Sequence, residues 1–475
     1  MYQAQPPLEF IAPKYNRYFL RLTHLLLPLW MRAQTSLTKV EAENVETLVD
    51  LYRQFQGGKI RFMLAFRHPK TDDPIALGYL FSRIVPSVAR SKGIKFTAPI
   101  HAHCIYDRGI PLWAGAHIGW ILQHLGGTPI QRGKADWTGL KSARDLFANG
   151  EFPMAAAPEG ATNGLSEIVS PLEPGISQMA FWCVEDLQKA GRTEQVVILP
   201  VGIKYTYVTE PWGAINDLLT ELEVKSGLNS YELVETRLIA SVRSEELTSS
   251  TQHSELSTHH SLYARLLRLA EHLLSIMETF YTKFYHSKLP ANDGAVPSDK
   301  NEAIAARLRA LLNVILQVAE DFFKLQPKGS LSDRCRRVEQ AGWNCIFRED
   351  FKDTKALSVV EKGLGNRAAL EANMRMWHMR VVESFVAVTG HYVQENPTPE
   401  RFAETLLILW EMVTRIIESD TQRRPNLGKQ EAHITIGQPI SVSDRYPAYK
   451  SNRQGAKLAV ADLTKDLQVS LEELI

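Results

Sequence analysis

The residues of this chain best suited to proton chemistry are His68 and Asp73, in the run Phe66-Arg67-His68-Pro69-Lys70-Thr71-Asp72-Asp73-Pro74. Four residues separate the two. The run follows an apolar strand and precedes a helix that starts near Pro74, so the pair sits on a strand-to-helix turn. If the turn folds back, the carboxylate reaches one imidazole nitrogen. It then fixes the tautomer and leaves the other nitrogen as a general base. The plainer alternative is that Asp72 or Asp73 caps a helix with proline in its first turn, and His68 is only a polar loop residue.

Three further blocks follow in order. Gly126-Gly127-Thr128-Pro129-Ile130-Gln131-Arg132 offers glycines for backbone access and, in Arg132, a planar fork suited to phosphate. Ala157-Pro158-Glu159-Gly160-Ala161-Thr162-Asn163-Gly164 follows an apolar strand. A carboxylate, exposed N–H groups and small side chains there shape a polar substrate pocket. Ile198-Leu199-Pro200-Val201-Gly202-Ile203 is an apolar strand broken by proline. Taken singly, each block reads equally as a turn, a surface arginine, a loop or a buried strand.

The elements that must position these residues alternate. Strands are predicted at Ile60–Phe66, Ile94–Ile100, Phe152–Ala157 and Val196–Ile203. Helical patterns lie between them, around Pro74–Ala89, Trp113–Leu125, Leu140–Asn149 and Ile176–Ala190. That alternation predicts an α/β domain with a covered sheet. Beyond about residue 225, Leu262, Leu266, Leu269, Leu273 and Ile276 recur at three- and four-residue intervals, as do Leu308, Leu311, Ile315 and Val318, and later Met374, Trp377, Val381 and Phe385. Ala432–Val442 alternates like a strand, and a final amphipathic helix runs from about Asn452 to Leu474. A lone strand cannot stand by itself, so it is expected to rejoin the first sheet. The expected organisation is an α/β domain over 1–224 with an N-terminal amphipathic helix, an all-helical insertion over 225–428, and a returning tail over 429–475.

Composition bounds the function. The 475 residues carry 54 Lys+Arg against 53 Asp+Glu, with 44% hydrophobic residues, which excludes a disordered chain, a collagen and a polytopic membrane protein. The near-neutral sum argues against nucleic acid as a partner. It conceals a basic section, 13 basic to 4 acidic residues over 51–141, followed by an acidic one, 4 to 12 over 142–224. A basic section suits an anionic ligand or a membrane surface. Cys104, Cys183, Cys335 and Cys345 lie far apart with no CxxC pair, so reduced thiols in a cytosolic protein are expected, not a zinc site. Tyr15–Arg32 mixes aromatic and leucine residues with Arg17, Arg21 and Arg32, a pattern for an interfacial helix or for one packed on its own domain. No nucleotide-binding loop occurs, and Gly175-Ile176-Ser177-Gln178-Met179 lacks the second glycine of a hydrolase elbow. His101 and His103 could share a strand face as metal ligands, but no companion cluster is evident. Trp113, Trp120, Trp137 and the Pro111–Leu125 helix read mainly as core, with an acyl tunnel as the alternative.

The ordered set His-x4-Asp, Gly-x-x-Pro-Ile-x-Arg, Pro-Glu-Gly and Leu-Pro-Val resembles the glycerolipid acyltransferase family, which includes the glycerol-3-phosphate and 1-acylglycerol-3-phosphate acyltransferases. The resemblance covers about 60–225, and Ile436–Ile440 looks like the family's closing strand. It implies an acyltransferase-like central sheet flanked by helices and no cofactor. It further implies that His68 takes a proton from an acceptor hydroxyl while Asp73 orients the ring. The oxygen then attacks an acyl thioester of coenzyme A or acyl-carrier protein. Arg132 would hold the acceptor phosphate; Gly126, Glu159 and Gly160 would complete the acceptor site, and Pro200 would form a structural edge of the pocket. The chain departs from the family at Arg67, often asparagine there; at Gln131, commonly acidic; and at Ala161-Thr162-Asn163, frequently Thr-Arg-Ser. The last change removes one expected phosphate contact, for which Lys70, Arg67 or Lys134 are expected to compensate. The departures leave open a lysophospholipid, glycolipid or isoprenoid acceptor. From another class, a non-catalytic lipid-binding scaffold is the rival, with the helical insertion as a partner surface. The expected location is cytoplasmic, peripheral on the inner face of a membrane.

Overall fold

A computed structural model describes residues 3–131, 136–228, 251–289, 299–417 and 424–475. Its contacts divide the chain into two units. One comprises Pro6–Val208, Glu349–Lys352 and Lys429–Ile475; the other comprises Met1–Gln5, Thr209–Arg348 and Asp353–Gly428. The first carries α1 (Arg17–Gln34), β1 (Leu37–Glu43), α2 (Val45–Gln56), β2 (Ile60–Phe66), α3 (Asp73–Tyr79), α4 (Val85–Ser91), β3 (His103–Asp107) and α5 (Ile110–Ala114). It continues with α6 (Ala116–His124), β4 (Thr128–Ile130), α7 (Trp137–Asn149), β5 (Met154–Ala156), α8 (Gly175–Lys189) and β6 (Gln195–Tyr207). The helical unit holds α9 (Trp212–Lys225), α10 (Thr251–Tyr285), α11 (Lys300–Phe323), α12 (Leu331–Ile346), α13 (Val359–Glu383), α14 (Tyr392–Glu395) and α15 (Pro399–Ile416). The tail adds β7 (Gln430–Ile436), β8 (Ile440–Ser441), α16 (Tyr446–Ser451) and α17 (Arg453–Glu472) to the first unit.

The sheet of the first unit runs β1-β7-β6-β2-β5-β3-β4, with β8 also on β6. It is parallel except where β6 meets β7 and β8. β2 is apolar at every position but Arg61 and buried throughout, as a central strand covered on both faces must be. Its side chains alternate between two cores. Phe62, Leu64 and Phe66 face residues of α1, α2, α3 and α4; Met63 and Ala65 face α7, α8 and α17. The result is a mixed α/β unit with helices on both faces of a mostly parallel sheet, as the alternation predicts. The tail strand does join this sheet, between β1 and β6.

Three expectations shift. Ile94–Ile100 is not a strand: Pro99 removes a ladder donor, and the Gln56 side chain accepts the Thr97 N–H at 2.8 Å. The strand begins later, at His103. The Trp113–Leu125 pattern is two helices, broken at Gly115 with φ +96. The division of the chain falls at Thr209, not 225, because α9 packs within the helical unit. There the buried Glu223 accepts from Arg265 of α10 at 2.6 Å, and Trp212 meets Phe402 edge-on at 5.3 Å. The edge strand β1 carries no strand prediction, since Leu37–Glu43 alternates charged residues with only two fully buried ones.

Within the helical unit, Arg334 of α12 forks onto the buried Glu320 of α11, both bonds 2.8 Å. Tyr281 of α10 meets His378 Nδ1 of α13 at 2.6 Å, and burial pushes that imidazole down to about 4. These buried polar groups are paired, as a helical core requires.

Candidate functional site

The parallel strands β2, β5, β3 and β4 end along one edge of the sheet, the edge at which open α/β folds bind ligands. His68 follows β2 there, and Pro158 and Glu159 follow β5. The turn after β2 folds back. His68 Nδ1 lies 2.8 Å from Asp73 Oδ2, so the ring donates to a carboxylate that is wholly buried. The same Oδ2 accepts the Lys70 N–H at 3.0 Å. The other oxygen, Oδ1, accepts the Tyr205 hydroxyl from β6. Three donors therefore hold Asp73 in one orientation. His68 keeps 24% of its side chain exposed, and no described residue bonds to its Nε2. Asp72 is the N-cap of α3 and its side chain makes no cap bond, while Asp73 is the first helical residue, with Pro74 behind it. The geometry is that of an oriented imidazole with one nitrogen open to a ligand.

Tyr205 is the residue that sequence reading missed. Burial, and next the adjoining Asp73 carboxylate, push its phenol well above its ordinary value, so it stays a donor. The Lys70 ammonium lies 4.4 Å over its ring and donates to Gln430 Oε1 of β7 at 2.8 Å. Nothing local marks Tyr205, since its place is set by a register 132 residues from Asp73.

Glu159 is placed differently from expectation. It is buried and fully engaged. Oε1 accepts Arg67 Nε at 3.1 Å and the His68 N–H at 2.9 Å; Oε2 accepts the Ser170 N–H at 2.8 Å and Asn163 Nδ2 at 3.2 Å. Arg67 is likewise fully buried and donates to the carbonyls of Ser166, Leu165 and Ile168 at 2.9, 3.0 and 2.6 Å. The pair therefore clamps the 157–170 loop onto the turn that carries His68. Glu159 is an anchor of the backbone rather than a ligand contact, and Arg67 is not available to replace a phosphate-binding arginine. Asn163 completes the clamp, bonding Ile168 O at 2.7 Å and Ser170 Oγ at 3.0 Å. Gly160 serves the same loop. Its φ of +74 and the Glu173 carboxylate that a Cβ would strike both require glycine.

The remaining predicted residues separate. Gly126 lies at the opposite end of the sheet from His68. It precedes β4, its carbonyl accepts from His103 Nδ1 at 2.9 Å, and His103 is the first residue of β3. With φ +76 and a Cβ position 2.8 Å from that imidazole, it is a turn glycine packed on a ring. Pro200 pairs with Ala65 in the sheet and is buried. Its carbonyl accepts the Gly437 N–H at 2.9 Å, so its missing N–H faces the gap between β7 and β8, where no ladder partner is lost. Arg132 and Lys134 lie outside the described residues. Beside them, Asp136 caps α7, accepts the Gln131 N–H at 2.9 Å and pairs with Arg108.

His101 and His103 are not ligand-poised. Both rings are buried and spend a nitrogen on carbonyls, His101 Nε2 on Leu125 O at 2.7 Å. Burial pushes His101 down to about 3 and lowers His103 as well. Among the described residues one trio has metal-ligand spacing: Glu41, Glu431 and His433, with ligand atoms within 4.8 Å of one another. Lys39 is ion-paired with Glu41, and Thr206 is 2.8 Å from His433 Nε2, so that surface is already satisfied. Trp113, Trp120 and Trp137 are exposed and are not core. Among the described residues no helix is long and apolar enough to cross a membrane. No protein-family model and no curated protein matches the sequence.

Proposed function

We propose that the protein is an O-acyltransferase that moves a fatty acyl group from an acyl thioester, of coenzyme A or acyl-carrier protein, to a hydroxyl of a glycerol-3-phosphate or 1-acylglycerol-3-phosphate type of acceptor, working at a membrane surface. The observation that carries this reading is the His68–Asp73 pair, with Nδ1 held on a buried carboxylate and Nε2 open. The order of motifs around it supports the same family of reactions. In the proposed step Nε2 takes the acceptor hydroxyl proton as the oxygen attacks the thioester carbonyl. The tetrahedral adduct collapses, the C–S bond breaks, and the proton passes from the imidazolium to the departing thiolate. Asp73 stabilises the imidazolium between the two transfers.

The acceptor is where a second reading has support. Arg67 is committed to Glu159 and three carbonyls, and the Pro-Glu-Gly block has no arginine of its own. A lysophospholipid, glycolipid or isoprenoid alcohol therefore competes with glycerol phosphate as acceptor. The test is thiol release from acyl thioesters against a panel of acceptors, beside His68→Ala. Loss of general-base catalysis should lower turnover about 10²–10⁴-fold. The absence of His68-dependent release with any acceptor overturns the proposal in favour of a lipid-binding scaffold.

A further inference from the structure

α1 carries two apolar stripes, and the fold uses only one. Leu20, Leu27 and Met31 are buried against the α/β unit. Leu27 packs against Gly78 of α3, the helix that Asp73 opens, with its Cδ2 3.0 Å from where a Cβ would stand. At about 3.6 residues per turn, Tyr18, Leu22, Leu25 and Leu29 form a stripe on the other side. All four are exposed, Leu25 by 66%, and Leu26 and Trp30 widen the stripe. A helix whose core-facing side is already satisfied has no folding reason to carry this second one.

The stripe continues onto α5 and α6. Phe19 meets the Trp120 ring edge-on at 5.0 Å, and Leu112, Trp113 and Trp120 are exposed, Trp113 by 70%. Residues 109–131 contain no Asp, Glu, Lys or Arg. Within the N-terminal segment the fixed charges are all basic. Residues 10–40 hold Lys14, Arg17, Arg21, Arg32 and Lys39 and no acidic residue, and the first four are exposed.

We infer that α1 and the α5–α6 pair form one docking face for an anionic lipid bilayer, lying in the interface plane with leucines and tryptophans below the headgroups and the arginines among them. Tryptophan and tyrosine favour that depth, arginine attracts acidic headgroups, and neither helical segment carries an acidic residue to repel them. A protein partner is less well matched, because α1 itself offers only basic charge beside its exposed leucines. The inference deepens the membrane part of the proposed function and rests on that part alone; it stands whatever reaction His68 performs. The contact is a composite of two helical segments distant in sequence.

The test uses the full chain without substrates. Co-sedimentation is measured with phosphatidylcholine vesicles, with and without about one-third phosphatidylglycerol. Leu25→Glu with Leu29→Glu, and separately Trp113→Glu, should each lower partitioning about tenfold or more. Arg17→Glu with Arg21→Glu should lower it on the anionic vesicles alone. The substituted side chains are exposed, and circular dichroism checks that each variant is folded. Hydrogen exchange of the unaltered protein should show vesicle-dependent protection at residues 18–30 and 110–120. Partitioning unchanged by both apolar substitutions, or no vesicle binding by the unaltered protein, overturns the inference. So does a dimer that Leu25→Glu with Leu29→Glu makes monomeric without vesicle binding, since the face then belongs to a second copy.

Discussion

Two sets of histidines stand at opposite ends of the same parallel strands, and they differ in what they touch. His68, beyond the end of β2, spends Nδ1 on the buried carboxylate of Asp73 and leaves Nε2 open. His101 and His103, at the start of β3, are buried and spend a nitrogen each on the carbonyls of Leu125 and Gly126. A carboxylate fixes one ring nitrogen as a donor and leaves the other to act; burial holds the other two rings neutral. Residue type is therefore silent about role, and the partner decides it. The largest test of this contrast exchanges the phenotypes. His68→Ala should abolish transfer, by the factor given above, with little change in melting temperature. His103→Ala should leave the rate within a few-fold and lower stability by roughly 1–3 kcal/mol through a lost bond and a void beside Gly126 and Gly150. Rate and thermal-melting measurements on both variants check it. Two variants that lose activity equally break the comparison.

The clamp behind His68 gives the next effect. Arg67 and Glu159 are an ion pair with no exposed side-chain surface on either partner. Removing one partner strands a buried charge, so Arg67→Leu should cost about 3–5 kcal/mol in unfolding free energy. Because the lost arginine also releases the carbonyls of Leu165, Ser166 and Ile168, the 157–170 loop should become the first cleavage site in limited proteolysis. A stable Arg67→Leu protein with normal proteolysis sinks the clamp. It would return Arg67 to the list of acceptor contacts.

Tyr205→Phe removes a single hydroxyl and keeps the ring beneath Lys70. The lost bond goes to an ionised group, and such bonds are worth about 1.5–3 kcal/mol. Asp73 keeps its bonds to His68 and to the Lys70 amide. The expected result is a fall in kcat of roughly tenfold with KM nearly unchanged, because the hydroxyl orients the dyad and does not face a substrate. A rise in KM alone would mean that Tyr205 belongs to the binding surface instead.

How much of this was legible depended on the distance between cause and effect along the chain. β2 was readable because seven consecutive buried positions make a run that few other structures produce. The dyad was readable because its two members share one turn. Arg67 was not, since an arginine beside a histidine reads as a surface cation, and its partner lies 92 residues away. Gly126 was misplaced for a different reason. A short motif shows that glycines adjoin a strand, but only the sheet shows that they adjoin the end away from His68. Tyr205 carried no signal at all until β6 was set in register against β2 and β7. The exposed tryptophans of α5 and α6 failed by the opposite error. Apolar composition predicts burial, and these rings are exposed.

The smallest effect reads the buried histidines by pH. Burial holds His101 at about 3 and His24, whose ring lies 6.2 Å away, at about 4. In the unfolded chain both titrate near 6.5. Between pH 6.5 and 4 the unfolded state therefore binds protons that the folded state refuses. Stability contributed by keeping these rings neutral is complete above pH 6.5 and is lost as pH falls. Each ring contributes a slope of up to about 1.4 kcal/mol per pH unit over that window. Replacing His101 with phenylalanine, which keeps the edge-to-face contact with Phe152 but cannot titrate, should flatten the denaturant midpoint against pH by about one such slope. If the acid loss of stability survives in His101→Phe, the buried set is not what makes the fold acid-sensitive, and the division of labour between the two ends of the sheet fails.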